Sequence, residues 1–392
     1  MPRAIRTRLA GPLAASAVTV MMAAASAPSP FYPILQERLA LTPAAMTLVF
    51  AIYAGTLLIA LLTVGGLSDF IGRRPATSAG FVLLAASILL FQHADSIGLL
   101  LLARAVQGLA SGVLLSTLSA TIADLEPADR PGSAAVVNAV APMLGLALGS
   151  VLAGVALDAV ADPLTAVFTP AVVVTALLAA LVWVGPETSS PRPGWLASLR
   201  PRAAVPAAAR SLFVLSVPAI LAGWATGGLF LSLGASIVRG PLHVESHALQ
   251  GLAIGVLAGA GGLAGFLLRH REARSIVLFG ASALTVGTLL SLVALALESP
   301  AAYLGATVVV GAGFGTAFMG VVRSLAPLVG AHERAELFAS LYVVAYLAFG
   351  VPAVLAGLVT PSLGLQGTAL VYGACVAALA AAAVLLRLRA RV

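Results

Sequence analysis

The chain has 392 residues, of which 60% are hydrophobic and only 9% are charged, whereas roughly 25% are charged in ordinary soluble domains. A soluble core cannot hide that much apolar surface, so the composition excludes a soluble protein and predicts a membrane protein. All 21 basic residues are arginine and the net charge is +7, which excludes chemistry that needs a lysine, such as a Schiff base.

Twelve apolar runs are long enough to cross a bilayer, which takes roughly 20 helical residues. They lie at about 11–33, 44–66, 76–94, 98–124, 133–156, 165–185, 211–238, 247–268, 275–297, 301–328, 336–359 and 365–386. A Pro- and Arg-rich linker (189–209) separates a bundle within 1–188 from one within 210–392. We expect an all-α fold of twelve transmembrane helices in two pseudo-symmetric six-helix bundles.

The N-terminus also has features of a cleavable signal peptide. Arg3, Arg6 and Arg8 precede an apolar stretch and the small residues 25–27. Cleavage would leave eleven spans and place the linker outside. We expect the first helix to be retained.

The loop after the second span reads GGLSDFIGRRP and carries Asp69 between two glycines, with Arg73 and Arg74 beside it. Gly65 and Gly72 permit close helix approach and a tight turn. An acid at a membrane boundary needs a positive partner or a helix N-terminus. Positive-inside anchoring alone would explain the arginines, but neither Asp69 nor the glycines.

This loop resembles the major facilitator signature G-x-L-[AS]-D-x-x-G-R-R. The resemblance implies a secondary transporter in which two bundles surround a central pathway, with Asp69 in a cytoplasmic gate. It also implies that Asp124, at the end of the fourth span, pairs with Arg73. In the outward-open state Asp69 would approach the start of the eleventh span, near Glu336.

The fourth span reads LLLARAVQGLASG and resembles the family's R-x-x-Q-G signature at Arg104, Gln107 and Gly108. A guanidinium within a span costs several kcal/mol unless it faces protein or water. We therefore expect Arg104 to point into the bundle as a cavity or coupling residue. The alternative is an arginine that snorkels to the outer headgroups.

The fifth span, NAVAPMLGLALGSVLAG, partly resembles the glycine–proline signature of the family's antiporters through Pro142, Gly145 and Gly149. Ala141 and Ser150 depart from that pattern, which weakens the inference to antiport. Close helix packing by small residues is the alternative.

The second half repeats the first at offsets of 203 to 205 residues. Its matching loop, GFLLRHREARS, keeps the arginines but has no aspartate, so the gate is expected on one half only. Arg323 lies about two turns before the end of the tenth span, where it either lines the cavity or anchors the helix. The matched pairs are Gly108 with Gly311, Asp129-Arg130 with Glu333-Arg334, Gly145 with Gly350, and Ala153-Gly154 with Ala356-Gly357.

Several motifs are absent. No G-x-x-x-x-G-K loop occurs, so the chain does not encode an ATP-driven pump. No HExxH is present, the five histidines lie mostly at helix ends, and the single Cys375 excludes an internal disulfide. We expect no catalytic residue, metal or cofactor.

Three functions remain open. The first is proton-coupled export of small amphiphilic compounds, although the first span has no acid to carry a proton. The second is import or facilitated passage of a metabolite, with Arg104 or Arg323 holding an anionic group. The third, a membrane-embedded enzyme or receptor, lacks any catalytic constellation. We expect a monomer whose partners are the lipid bilayer, a small-molecule substrate and protons, and not nucleic acid.

The arginine distribution predicts a multi-pass protein of the inner membrane with both termini in the cytoplasm, because positive loops are retained there. A reporter that works only in the periplasm should give no signal when fused to the C-terminus. A strong signal would reverse the assignment of every loop. With the N-terminus inside, only Arg38 and Arg239 face outside, whereas the cytoplasm receives Arg3, Arg6, Arg8, Arg73, Arg74, Arg130, Arg192, Arg200, Arg202, Arg210, Arg269, Arg271, Arg274, Arg334, Arg387, Arg389 and Arg391.

Overall fold

The computed structural model describes residues 3–130, 132–201, 203–330 and 333–390. Within these ranges the chain is helical and contains no strand. Arg202, His332 and Arg391 lie outside the described residues, as do the side chains of Arg3, Arg6 and Arg8.

The described residues form fourteen α-helices, and the long ones begin and end close to the predicted spans. They are α1 (Arg3–Ser26), α2 (Tyr32–Arg38), α3 (Pro43–Thr63), α4 (Ser68–Ile71), α5 (Arg73–Gln92), α6 (Ile97–Asp124), α7 (Ser133–Ala159), α8 (Pro163–Leu181), α9 (Trp195–Ser198), α10 (Ala207–Arg239), α11 (His247–Leu267), α12 (Ala273–Ala296), α13 (Pro300–Leu325) and α14 (Arg334–Arg389). Short 3₁₀ turns occur at Ser29–Phe31, Val182–Val184 and Ala326–Leu328.

The helix α14 is too long to be a single crossing. Its 56 residues would extend about 84 Å at 1.5 Å per residue, against a hydrocarbon core of about 30 Å. At Gly364 the backbone leaves the helical region (φ 70°, ψ 167°), which glycine adopts without steric cost. Residues 334–363 and 365–389 are therefore separate limbs. Among the described residues, eleven helices qualify as spans by length and composition, and α14 counted twice gives the predicted twelve.

The helices form two bundles, the N-half (α1–α8) and the C-half (α10–α14). Their ends define two faces. The linker face carries the segments 64–72, 125–130, 182–201, 203–206, 268–272 and 326–330, and the distal face carries 39–42, 93–96, 160–162, 240–246 and 297–299. The first helix belongs to the N-half core, since Val18 and Met21 are buried.

Helix starts differ between the two faces. On the distal face, each of five helices has an N-cap side chain that accepts a hydrogen bond from its first turn, an interaction of about 0.5–2 kcal/mol. On the linker face, the N-cap residues of α10, α12 and α14 make no such bond. These helix starts therefore depend on acceptors from elsewhere. The distal caps are Thr42, Ser96, Asp162, Ser246 and Ser299.

The predicted internal repeat is visible in the packing. Gly108 lets α6 approach the backbone of α3, and its counterpart Gly311 lets α13 approach the backbone of α11. Gly154 lies against the backbone of His247, where α7 meets α11, and its counterpart Gly357 lies against Pro43, where α14 meets α3. The two halves thus touch at symmetric positions near the distal face, with a glycine at each contact.

Candidate functional site

Arg73 is the centre of a charged cluster on the linker face. Its guanidinium lies 2.5 Å from Asp69 Oδ1 and 3.2 Å from Asp124 Oδ2, and donates to Ser68 Oγ at 2.6 Å. The contact with Asp124 is the pairing that the family resemblance implies. Asp69 remains 42% exposed, and no described contact joins it to Glu336.

Glu187 completes this cluster from the end of the N-half. Its carboxylate accepts hydrogen bonds from the backbone N–H groups of Arg73 (2.8 Å) and Arg74 (3.0 Å), the first two residues of α5. A negative charge at a helix N-terminus stabilises it by about 0.3–1 kcal/mol. Gly72 makes this approach possible, because its φ is 100° and a Cβ there would lie 2.8 Å from Glu187 Oε2. Arg74 also donates to the carbonyl of Gly185.

Gly65 plays a more local part in the same loop. A Cβ at this position would collide with the carbonyl of Leu61, one turn earlier in the chain. The glycine therefore allows the chain to turn tightly after α3 and to bring Ser68 and Asp69 toward α5.

Arg104 is enclosed within the N-half, with 1% of its surface exposed. It donates to the side-chain oxygen of Gln107 and to the carbonyl of Ala25, and its Cζ lies 4.3 Å from the centre of the Tyr53 ring. Gln107 in turn donates to the carbonyl of Ala24 at 2.8 Å. The side chain has the predicted inward orientation and does not snorkel.

The positive charge of Arg104 has no carboxylate partner among the described residues, and its Nε has no hydrogen-bond partner. Carbonyl dipoles and the face of an aromatic ring offset part of the cost of burying it. A buried cation without a counter-ion is costly. The charge of Arg104 is therefore not neutralised by an ion pair within the described part of the N-half.

An aromatic cluster joins the two halves near the middle of the membrane. The rings of Phe50 and Phe349 lie 4.8 Å apart across the contact between α3 and α14. Trp224 packs 4.8 Å from Tyr346 and 5.4 Å from Phe318. Unlike the buried Phe50 and Phe349, Trp224 and Phe318 are partly exposed, as is Tyr342. The three exposed rings lie in the C-half, and those of Phe318 and Tyr342 lie toward the linker face.

The glycine–proline segment of α7 is a packing surface against α1. Gly145 and Gly149 lie against the backbone of α1 at Thr19 and Ala23, where a Cβ would collide with a carbonyl oxygen. Ser26 Oγ donates to the carbonyl of Leu146 at 2.9 Å. Pro142 lies inside α7. These contacts suit close helix packing.

Arg323 lies in the last turn of α13, nearer to the helix end than predicted. Its side chain is exposed and Nη1 donates to the carbonyl of Arg269 at 2.7 Å. This geometry favours an anchoring position at the linker face over a position in the cavity.

On the distal face, Asp158 of the N-half closes onto α11 of the C-half. Its carboxylate accepts hydrogen bonds from the backbone N–H groups of His247 (3.0 Å) and Ala248 (2.9 Å) and from Ser246 Oγ (2.8 Å). The His247 ring also contacts it, with Nδ1 at 2.7 Å. One carboxylate therefore caps the first turn of a helix in the opposite half.

Two further contacts close the distal face. Arg239 at the end of α10 lies 2.8 Å from Glu37 at the end of α2, and Ser29 Oγ donates to the carbonyl of Leu231 at 2.8 Å. Both join the N-half to the C-half, so closure depends on several polar contacts.

The family model described as Major Facilitator Superfamily matches residues 14–351. The chain belongs to the major facilitator superfamily. It is therefore a membrane transporter and not an enzyme. A search of curated proteins finds no match.

Among solved structures, the chain resembles the partially occluded inward open conformation of the xylose transporter XylE from E. coli. The TM-score is 0.72, the sequence identity is 15%, and the match covers 96% of each chain. This likeness shows the superfamily fold.

The contacts between halves indicate which side of this transporter is closed. Polar contacts join the halves at the distal face, and aromatic rings join them near the middle. On the linker face, Ala204 N–H of the linker donates to the carbonyl of Glu336 at 3.4 Å, and Val205 packs against the core of the C-half. The described contacts between the halves thus close the pathway on the distal side.

Glu187 and Asp158 are functional candidates that sequence reasoning missed. Glu187 follows the sixth span in the short sequence GPETSS. An acidic residue so soon after a span is the one sequence signal that could have indicated its role. The partners of Asp158 lie 88 to 90 residues away in the other half, a distance no local pattern spans. Among the described residues, no three His, Cys, Asp or Glu side chains group as metal ligands.

Asp158→Asn should weaken distal closure, because asparagine keeps the size of the side chain but loses its charge. A loss of about 1.4 kcal/mol, within the range for charges at helix termini, would reduce the ratio of the closed to the open population about tenfold. With Cys375 replaced by Ala, spin labels are attached at the exposed Val160 of the N-half and Glu245 of the C-half. Double electron–electron resonance then measures the distance between the two labels. Asp162→Asn is the control, because Asp162 caps a helix of its own half. An unchanged distance distribution in Asp158→Asn would contradict this role.

Proposed function

We propose that this transporter exports small amphiphilic compounds by alternating access, with a proton gradient as the driving force. The observation that carries the proposal is the aromatic cluster between the halves, where Trp224, Phe318 and Tyr342 are partly exposed. Aromatic faces bind apolar and planar groups, and ring pairs contribute about 0.5–1.5 kcal/mol beyond the area they bury.

The scarcity of polar groups supports amphiphilic cargo. A polyol needs many precisely placed hydrogen-bond partners, because each unpaired buried hydroxyl costs free energy. In the N-half the polar pair Arg104 and Gln107 is directed mainly at carbonyls of α1. The structurally similar XylE is a xylose transporter, whereas an aromatic surface favours a different cargo here.

Proton coupling would act on the contacts that close each face. Among the described residues, the buried charged side chains are Arg104 and Arg387, and no buried carboxylate occurs. The acids that could bind protons therefore lie at helix ends, as Asp69, Asp124 and Asp158 do. Protonating Asp158 would remove the negative charge that binds α11 and would favour opening of the distal face.

We propose Asp69 as part of the opposite gate. In the distal-closed state it pairs with Arg73 and is partly exposed, which leaves it free to meet the start of α14 when the linker face closes. The attraction between a carboxylate and a helix N-terminus is about 0.3–2 kcal/mol. That is sufficient to shift the populations of two states without contact to substrate.

The proposed orientation places the linker face in the cytoplasm of an inner-membrane protein, on the strength of its arginines. We also propose that residues 1–188 and 210–392 move as two bodies within a monomer, joined by the 189–209 linker. Contacts between the first residues of the linker and the N-half support this division. Ser189 Oγ donates to the carbonyl of Asp69 at 3.3 Å, and Arg192 N–H donates to the carbonyl of Phe70 at 2.9 Å.

Import or facilitated passage of an anionic metabolite is the second candidate. The unpartnered Nε of the buried Arg104 favours it, since a carboxylate would satisfy both the charge and the free donor. Arg104→Gln would then abolish transport of carboxylates and leave transport of neutral amphiphiles intact.

A transport screen in everted vesicles, with and without a proton gradient, tests the proposed export. Aromatic amphiphiles should accumulate only with the gradient, and pentoses should not. Trp224→Ala should raise the KM for amphiphiles about three- to tenfold, because ring contacts of about 0.5–1.5 kcal/mol are lost. Trp183→Ala is the matched control, because Trp183 is exposed in the 3₁₀ turn that follows α8. Transport of pentoses, or an unaffected KM in Trp224→Ala, would count against the proposal.

Asp69→Asn should slow turnover and change the accessibility of cysteine probes on the linker face, while the apparent substrate affinity stays within a few-fold. The reason is that Asp69 contacts Arg73 at a helix boundary and not the aromatic cluster. Asp129→Asn is the control, because Asp129 is an exposed acid of the same face. A collapse of affinity without a change in probe accessibility would place Asp69 in the binding site.

A further inference from the structure

The end of α14 contains a buried arginine whose donors are not satisfied. Arg387 is 6% exposed, although it lies near the linker face. Its Nη2 donates to Ser324 Oγ at 3.1 Å. Its Nε and Nη1 are enclosed and have no hydrogen-bond partner. Burying a guanidinium in this way costs several kcal/mol unless an anion accompanies it.

A second arginine approaches the same place. Arg274 Nη2 donates to the carbonyl of Arg387 at 3.3 Å and to that of Ala390 at 3.2 Å. Arg274 is the second residue of α12, so its backbone N–H is one of the unpaired amides at the start of that helix. The N-cap residue Glu272 makes no side-chain bond to this turn. Two guanidinium groups and a positive helix end therefore share one region.

No ion pair accompanies this charge within the described part of the chain, since neither Arg274 nor Arg387 lies within 4 Å of a carboxylate oxygen there. The N-half offers a direct comparison. There the carboxylate of Glu187 accepts hydrogen bonds from the backbone N–H groups of Arg73 and Arg74 at the start of α5. The described part of the C-half repeats the helix start and has Arg274 beside it, but no carboxylate caps that start there.

The surroundings indicate the source of the missing anion. Leu385 and Leu388 are more than half exposed on the same helix end, as is Leu267 at the end of α11. A transporter in a bilayer presents such side chains to lipid. Basic pockets between helices near a membrane face bind anionic lipid headgroups, with about 1 kcal/mol per arginine near the surface.

We propose that Arg387, Arg274 and the N-terminus of α12 form a binding site for the phosphate of an anionic phospholipid. The phosphate occupies in the C-half the position that the carboxylate of Glu187 occupies in the N-half. It accepts from the exposed guanidinium of Arg274, the Arg387 side chain turns outward to bring its free donors to it, and its acyl chains lie along the exposed leucines. The site is separate from the proposed substrate pathway and does not depend on which compound is carried.

Thermal unfolding of the delipidated protein in detergent tests this site, with phosphatidylglycerol, phosphatidylethanolamine or inorganic phosphate added. Phosphatidylglycerol should raise the Tm of the native protein clearly more than phosphatidylethanolamine does, and inorganic phosphate should leave the Tm unchanged. Native mass spectrometry should detect retained phosphatidylglycerol. Arg387→Gln and Arg274→Gln should each lose at least half of the Tm shift.

Arg271→Gln is the matched control, because Arg271 is an exposed arginine in the loop before α12. It removes the same charge from the same face and should keep the full shift. If Arg387→Gln does not fold, Arg274→Gln still decides the outcome, because the Arg274 side chain is exposed. A full shift in Arg274→Gln, an equal shift with phosphatidylethanolamine, or a shift with inorganic phosphate alone would each overturn the proposal.

Discussion

The structure depends on one constraint, which is that a bilayer core offers no hydrogen-bond partner to a polar group. Every span is therefore a helix, and the unpaired amides of each helix start must lie at a face where an acceptor is available. On the distal face, side chains such as Thr42 and Ser96 supply it locally. At other helix starts the acceptor comes from a distant part of the chain, and these long-range caps hold the bundles together.

Two carboxylates illustrate how the same interaction serves different purposes. Glu187 caps α5 within its own half and joins the end of the N-half to the start of α5 at the linker face. Asp158 caps α11 in the opposite half and holds the distal face closed. A cap within one body stabilises that body, whereas a cap between bodies stabilises one conformation of the pair. The location of the acceptor, and not its chemistry, decides between the two.

The spans, their number and the inward orientation of Arg104 followed from hydropathy and the cost of burying a charge. The motif around Asp69 also led to the Arg73–Asp124 contact, because those residues belong to one recognisable pattern. The interface between halves could not be derived in the same way. Asp158 contacts α11, and Phe50 contacts Phe349, only after the two bundles have packed against each other. The sequence predicts two separate spans in the region of α14. It does not show that they are joined as one helix with a kink at Gly364, because hydropathy carries no information on backbone angles.

The glycines at the contacts between halves bear on the speed of the transport cycle. Where α7 meets α11 and where α14 meets α3, Gly154 and Gly357 bring backbone against backbone. Burying a long side chain removes rotamer freedom worth up to about 2 kcal/mol, whereas glycine and alanine have none to lose. At these two glycine contacts, closing therefore orders few side chains, and parting exposes little apolar side-chain area. Such an interface can form and break repeatedly with only a small entropic barrier.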